Sequence, residues 1–187
     1  MTAAAVSGSL EGMAHTGQII TNPVSGETIA FRHISDELLA FDLHLTPDGH
    51  VPGMHVHPEQ TERFEIVDGR MKFRLGLKTI VAGPGDVVTV PAGAAHKFTN
   101  AGEESVVARV EVRPALKMAE LLETTVALAE AGRTTRKGMP RPTALALFTK
   151  EFRREVRAPF PPAWVQRATL APLGWMARKP LPLPAAA

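Results

Sequence analysis

The chain has 187 residues, 44% of them hydrophobic, with a formal net charge of +2, no Cys and no Tyr. That length buries a full core and fits one domain with an extension, while the missing Cys excludes disulfide scaffolds and thiolate metal sites and suits a reducing cytoplasm. No stretch reaches the ~20 apolar residues of a membrane span, and the first 15 residues lack the basic start and apolar run of a secretory leader, so a cytoplasmic location is expected.

Residues 1–16 are expected to be a mobile arm. Gln18 to Thr21 and Thr28 to Ile34 then flank Asn22-Pro23-Val24-Ser25-Gly26, a hairpin signal. Leu39, Phe41, Leu43 and Leu45 alternate with Ala40, Asp42 and His44, the pattern of a half-buried strand. Phe64 to Val67 is a further strand, closed by the tight-turn pair Asp68-Gly69. Met71, Phe73, Leu75 and Leu77 alternate with polar or small residues through Lys78, and Val87 to Val90, His96 to Asn100 and Val106 to Val112 complete the set. Short strands at this spacing, punctuated by Gly and Pro, predict an antiparallel sandwich or barrel.

After Pro114 the period changes. Leu116, Leu121, Leu122, Val126 and Leu128 predict a helix that ends near Gly132. Thr143 to Arg157 predicts a second amphipathic helix, broken by Pro159, Pro161 and Pro162. Trp164 to Arg178 is a third, interrupted at Pro172 and Gly174, and residues 179–187 are expected to be a disordered tail.

Four side chains within the strand-rich part can hold a metal. His55 and His57 are two apart, so on a strand both point to one face. Glu62 opens the next strand, and His96 starts a distant one just after Pro91-Ala92-Gly93. Three imidazoles and a carboxylate suit a divalent ion, Fe(II) or else Mn, Ni, Co or Zn. Glu59 and Glu65 are rival carboxylates. Strand parity puts Glu65 opposite to Glu62, and Glu59 sits in the turn, so Glu62 is the ligand expected. Parity also places Phe64 and Ile66 on the Glu62 face and Phe98 on the His96 face. With Met71 and Phe73 they form the expected wall of an apolar substrate pocket. His33, His44, His50 and His15 carry no such pattern, and Asn100 is expected to bond local backbone.

In Gly49 to Gly69, Gly49 is followed by His55-Val56-His57, Glu62 and Gly69. In Gly85 to Asn100, Gly85 is followed by Pro91, Gly93, His96 and Asn100. These stretches resemble the two motifs of the cupin superfamily at every signature position, with 15 residues (Arg70 to Pro84) between them. The resemblance spans roughly Gly17 to Arg113. It implies a mainly β, antiparallel cupin (jelly-roll) barrel over residues 17–113, followed by two or three helices in an extension over residues 114–178. It also implies a metal at His55, His57, Glu62 and His96, and a homodimer. It leaves the reaction open, because one fold hosts many chemistries. A non-haem Fe(II) dioxygenase acting on a small aromatic or enolisable molecule is the first expectation. A Lewis-acid isomerase, epimerase or cyclase comes next, and then a non-catalytic small-ligand binder.

Charge divides the chain. Residues 1–132 hold 10 basic and 17 acidic side chains (−7), and residues 133–187 hold 11 and 2 (+9). The expectation is that the basic helices dock on the acidic barrel of their own or a partner subunit. Contact with an anionic membrane surface through the segment carrying Trp164 and Trp175 is the alternative. Nucleic acid is not expected, since no interleaved aromatic pattern accompanies the charge.

Overall fold

The computed structural model describes residues 14–177 and 179–182. Most of the expected arm and tail therefore lies outside the described residues. The parts described are tied down. Gly17 N–H donates to the Phe31 carbonyl at 2.8 Å, and the Arg133 guanidinium donates to the Pro180 carbonyl at 2.6 Å.

Alternating apolar residues build strands β1 (Ile19–Asn22), β2 (Glu27–Ile34), β3 (Leu39–Leu45), β4 (Thr61–Asp68) and β5 (Met71–Leu75). They continue through β6 (Lys78–Ala82), β7 (Val87–Val90), β8 (His96–Asn100) and β9 (Val106–Arg113). All pairings among them are antiparallel. They form one sheet in the order β1-β2-β3-β9-β4-β7 and a second in the order β6-β5-β8. The jelly-roll expectation is met as two facing sheets rather than one closed ladder.

β6 is an element that the sequence pattern hid. The alternation from Met71 to Lys78 reads as one strand, yet Gly76, at φ 55°, turns the chain with Leu77 and starts a new one. Gly69 is required at its own turn. Its φ is 74°, and an added Cβ would lie 2.8 Å from the Ser105 carbonyl oxygen.

Side chains of the two sheets meet in an apolar core. Phe64 of β4 sits 5.1 Å from Phe73 of β5 and 5.3 Å from Phe98 of β8, ring centre to ring centre, both edge-on. Phe31, Leu39, Leu45, Met71, Phe73, Val110 and Val112 are fully buried.

Three helices follow, α1 (Met118–Glu130), α2 (Pro142–Glu151) and α3 (Ala163–Trp175). α1 ends as expected before Gly132, which takes the left-handed conformation at φ 63°. α2 is shorter than the predicted Thr143 to Arg157, because the chain leaves the helix at Phe152, turns through residues 152–155 and pairs with the barrel at Arg157. α3 runs through Pro172 where an interruption was predicted. The carbonyl four residues back belongs to exposed Ala168, so solvent can satisfy it.

α1 packs on β1, where Gln18 Nε2 donates to Glu123 Oε1 at 2.8 Å. Fully buried Gln60 donates to the carbonyls of Pro114 and Ala115, joining the turn before β4 to the start of the extension. The extension thus docks on its own barrel, but by backbone and apolar contacts more than by charge. Among the described residues, Arg154 is the one basic side chain of 133–187 with a salt bridge to the barrel, at 2.6 Å from Glu59.

Candidate metal centre and its cavity

His55, His57, Glu62 and His96 converge. Each offers one ligand atom, and the four atoms lie within 4.8 Å of one another. The elements that carry them differ from the simplest expectation. His55 and His57 are not on a regular strand. They sit in an extended segment held by isolated bridges, His55 to His96 on one side and Val56 to Arg157 on the other. Glu62 is the second residue of β4, paired with Val90 and Val112, and its side chain faces the interior with Phe64 and Ile66. Glu65 points outward to Arg63, and Glu59 is exposed and bound to Arg154. Glu62 and Glu65 thus lie on opposite faces of β4, as parity predicts.

Hydrogen bonds aim the imidazoles. Each Nδ1 lies against a backbone carbonyl: His55 to Gly53 at 3.0 Å, His96 to Ala94 at 3.1 Å, and His57 to Glu155 at 2.5 Å. A carbonyl only accepts, so the proton is assigned to Nδ1 and every Nε2 turns to the centre. There His55 Nε2 is 3.1 Å from His57 Nε2, and Glu62 Oε2 is 2.9 Å from His96 Nε2 and 3.4 Å from His57 Nε2. Three imidazole nitrogens and a carboxylate oxygen crowded in a buried space form a set that, once deprotonated, fits a divalent transition-metal ion.

The electrostatics distinguish the imidazoles. Burial, with His57 and His96 beside it, pushes His55 down to about 3, so it is neutral at physiological pH. Burial opposes charge on both His57 and Glu62, but their mutual attraction overrides it. His57 is raised, helped by the Glu155 carbonyl, and Glu62 is held well below its usual range. Metal binding would displace the proton that this pair shares.

The cluster opens onto a cavity of about 370 Å³. His55, His57 and Glu62 line it, while His96 lies fully buried behind them. Of the predicted wall, Phe64 and Phe98 do line the cavity. Ile66, Met71 and Phe73 do not, because they are packed into the core between the sheets. Met54 is in the wall. Much of the remaining wall comes from the extension, including Met118 and Leu121 of α1, Phe148 of α2 and Leu170 of α3. Helical periodicity marks such residues as apolar but does not say which cavity they cover.

Sequence reasoning also missed Glu27. It lines the cavity opposite Asn22 in the β1–β2 register, and Ser25 Oγ donates to its Oε2 at 2.5 Å. Burial pushes its carboxyl up to about 7, against the Ser25 hydrogen bond and the charge of His50. The carbonyl of Glu155 was equally hidden, since a backbone acceptor has no signature in sequence.

Residues 41–112 match the family described as a cupin domain. No curated protein matches the chain. Among solved structures, the chain is similar to the cupin domain of Schizosaccharomyces pombe Cnp3, at 16% identity and a TM-score of 0.45, covering 47% of this chain and 64% of that one. It thus spans just under two thirds of that relative's length. It is similar to KdgF from Halomonas sp. at 14% identity and a TM-score of 0.48, covering 55% of this chain and 94% of that one. It is also similar to the DMSP lyase DddQ from Ruegeria pomeroyi at 30% identity and a TM-score of 0.38, covering 42% and 39%. No helix among the described residues is long and apolar enough to cross a membrane.

Proposed function

Because this chain carries a cupin-superfamily domain, we propose that it is a metal-dependent enzyme, a non-haem Fe(II) oxygenase acting on a small, largely apolar molecule with one or two oxygen donors. The observation that carries this reading is the aim of three Nε2 atoms and Glu62 Oε2 at one point beside an apolar cavity. His55, His57, Glu62 and His96 would hold the ion. When bound, a divalent metal supplies Lewis-acid activation, and as Fe(II) it also supplies dioxygen chemistry.

The chain's own residues favour chemistry that needs no second acid or base at the centre. The titratable side chains in the cavity wall, beyond the three cluster members, are Glu27 and Arg157. Glu62 aligns through Val112 with Leu39, whereas Glu27 aligns with Leu45. Six residues of β3 separate those positions, about 20 Å at 3.3 Å per residue. Glu27 is therefore too far along the sheet to exchange a proton with an atom held at the cluster. Its role is to hydrogen-bond the remote end of a bound molecule. Phe64, Phe98 and the helical residues exclude water from the space between.

An isomerase, epimerase or cyclase would need a proton-transferring group near the cluster, so it ranks second. The experiment is oxygen uptake by the anaerobically reconstituted Fe(II) protein across a panel of catechols, β-diketones and 2-oxo acids. Uptake that depends on substrate and disappears in Glu62→Gln is the expected result. Substrate turnover without oxygen consumption would overturn the oxygenase in favour of the Lewis-acid reading. Tight binding of a panel compound with no turnover would favour a non-catalytic binder.

A further inference from the structure

Helix α3 presents two faces. Val165, Gln166, Leu170, Leu173 and Gly174 are half-buried toward α2 and the cavity, and Leu170 lines the cavity itself. The other face carries Trp164, Arg167, Ala168, Ala171, Pro172 and Trp175, at offsets of three, four, seven, eight and eleven, all exposed. Trp164 is 68% exposed and Trp175 is 90% exposed, about 16 Å apart along the helix axis. Phe160 just before the helix is 80% exposed, and Met176 just after it is 60% exposed. Large apolar side chains concentrated at this level mark a contact surface rather than scattered exposure.

Charge selects the partner. From Val156 to Ala187 the sequence has Arg157, Arg167, Arg178 and Lys179 and no Asp or Glu. Arg167 lies inside the apolar stripe, and exposed Lys179 follows the helix. A self-association surface would bring Arg167 and Lys179 against the same basic residues of the second copy, with no carboxylate in this segment to pair them. An anionic bilayer supplies the opposite charge and, at its headgroup level, the half-polar environment that indole rings favour. Phe160 belongs both to the exposed patch and to the cavity wall, so the cavity rim reaches the same surface.

We propose that α3 docks the protein on anionic membrane surfaces, with Trp164, Trp175 and Phe160 inserting between headgroups and Arg167 and Lys179 contacting lipid phosphates. The docking does not depend on the metal or on the proposed reaction.

The chain's only two tryptophans are both on α3, so their emission reports on this helix alone. The experiment is flotation and tryptophan emission of the full chain with phosphatidylcholine vesicles, with and without phosphatidylglycerol at about 30 mol%, an anionic fraction chosen to attract basic residues. The expected result is binding at least tenfold tighter to the anionic vesicles, a blue shift on binding, and release at about 0.5 M NaCl, where exposed charges are screened. Trp164→Ala/Trp175→Ala and Arg167→Glu should each abolish flotation while leaving the thermal unfolding midpoint unchanged, since these side chains are exposed. Equal binding to neutral vesicles, or flotation unaffected by these variants, would overturn the proposal. So would emission already blue-shifted without lipid together with a dimer in light scattering that Trp175→Ala dissolves, because a second copy would then cover the stripe.

Discussion

The barrel and the helical extension are held by different means. The barrel has continuous antiparallel ladders and side chains with no exposure at all, such as Phe73, Met71 and Val110. The extension thins outward from it: α1 buries nine of its residues, α2 three, and α3 none. Yet the candidate metal-ligand cluster is not a property of the barrel alone. His55 and His96 take their orienting carbonyls from Gly53 and Ala94, while His57 takes its own from Glu155, after α2. That link is reinforced by paired backbone hydrogen bonds between Val56 and Arg157, at 2.9 and 3.0 Å. The buried Glu155 carboxylate also accepts the Lys117 N–H ahead of α1. The more loosely packed region therefore finishes the site of the more deeply buried one.

The largest effect should come from the barrel core. Phe73→Ala removes the ring that touches Phe64 and Phe98, and is expected to cost about 3–5 kcal/mol in denaturant unfolding. A loss as small as that of a surface change would show that the facing sheets do not carry the stability.

The seam should be felt in metal affinity. Arg157→Pro deletes the N–H that holds the Val56 carbonyl, and is expected to weaken Co(II) or Zn(II) binding about 10–100-fold. Arg157→Ala, which keeps the backbone bond, should bind the metal nearly as well as the parent protein. Competition with a chelating dye measures both. Equal affinity in the two variants and the parent would confine the site to the barrel.

Much of this division was legible in the sequence. Spacing and parity singled out Glu62 over Glu65, and Asp68-Gly69 fixed the turn into β5. The helical part of the cavity wall was not legible, because an apolar helical face such as that of Leu121 or Phe148 looks the same over a core or a cavity. Nor was the remote carboxyl of Glu27, whose environment depends on strands distant in sequence.

A smaller effect should appear in the pH dependence of stability. Glu27 is raised from 4.5 to about 7 in the folded chain, so the fold holds its proton more tightly than the unfolded chain does. Its contribution is complete below about pH 4.5 and is lost as pH rises through about 7. Glu27→Gln, which stays neutral, should match the parent at pH 4 and exceed it by about 1 kcal/mol at pH 8, allowing for partial contact with solvent. No difference at pH 8 would mean that the carboxyl is hydrated like a surface one. Smallest of all, Arg154→Ala breaks an exposed pair with Glu59 and should leave the unfolding midpoint unchanged. A clear drop would mean that charge, rather than backbone pairing, docks the extension.

The most direct test of the metal centre is elemental analysis of the untagged full chain purified anaerobically, beside His96→Ala. About one equivalent of iron in the parent protein and almost none in the variant is the predicted result. Equal metal in both proteins, or none in the parent even after reconstitution with Fe(II), would contradict the account.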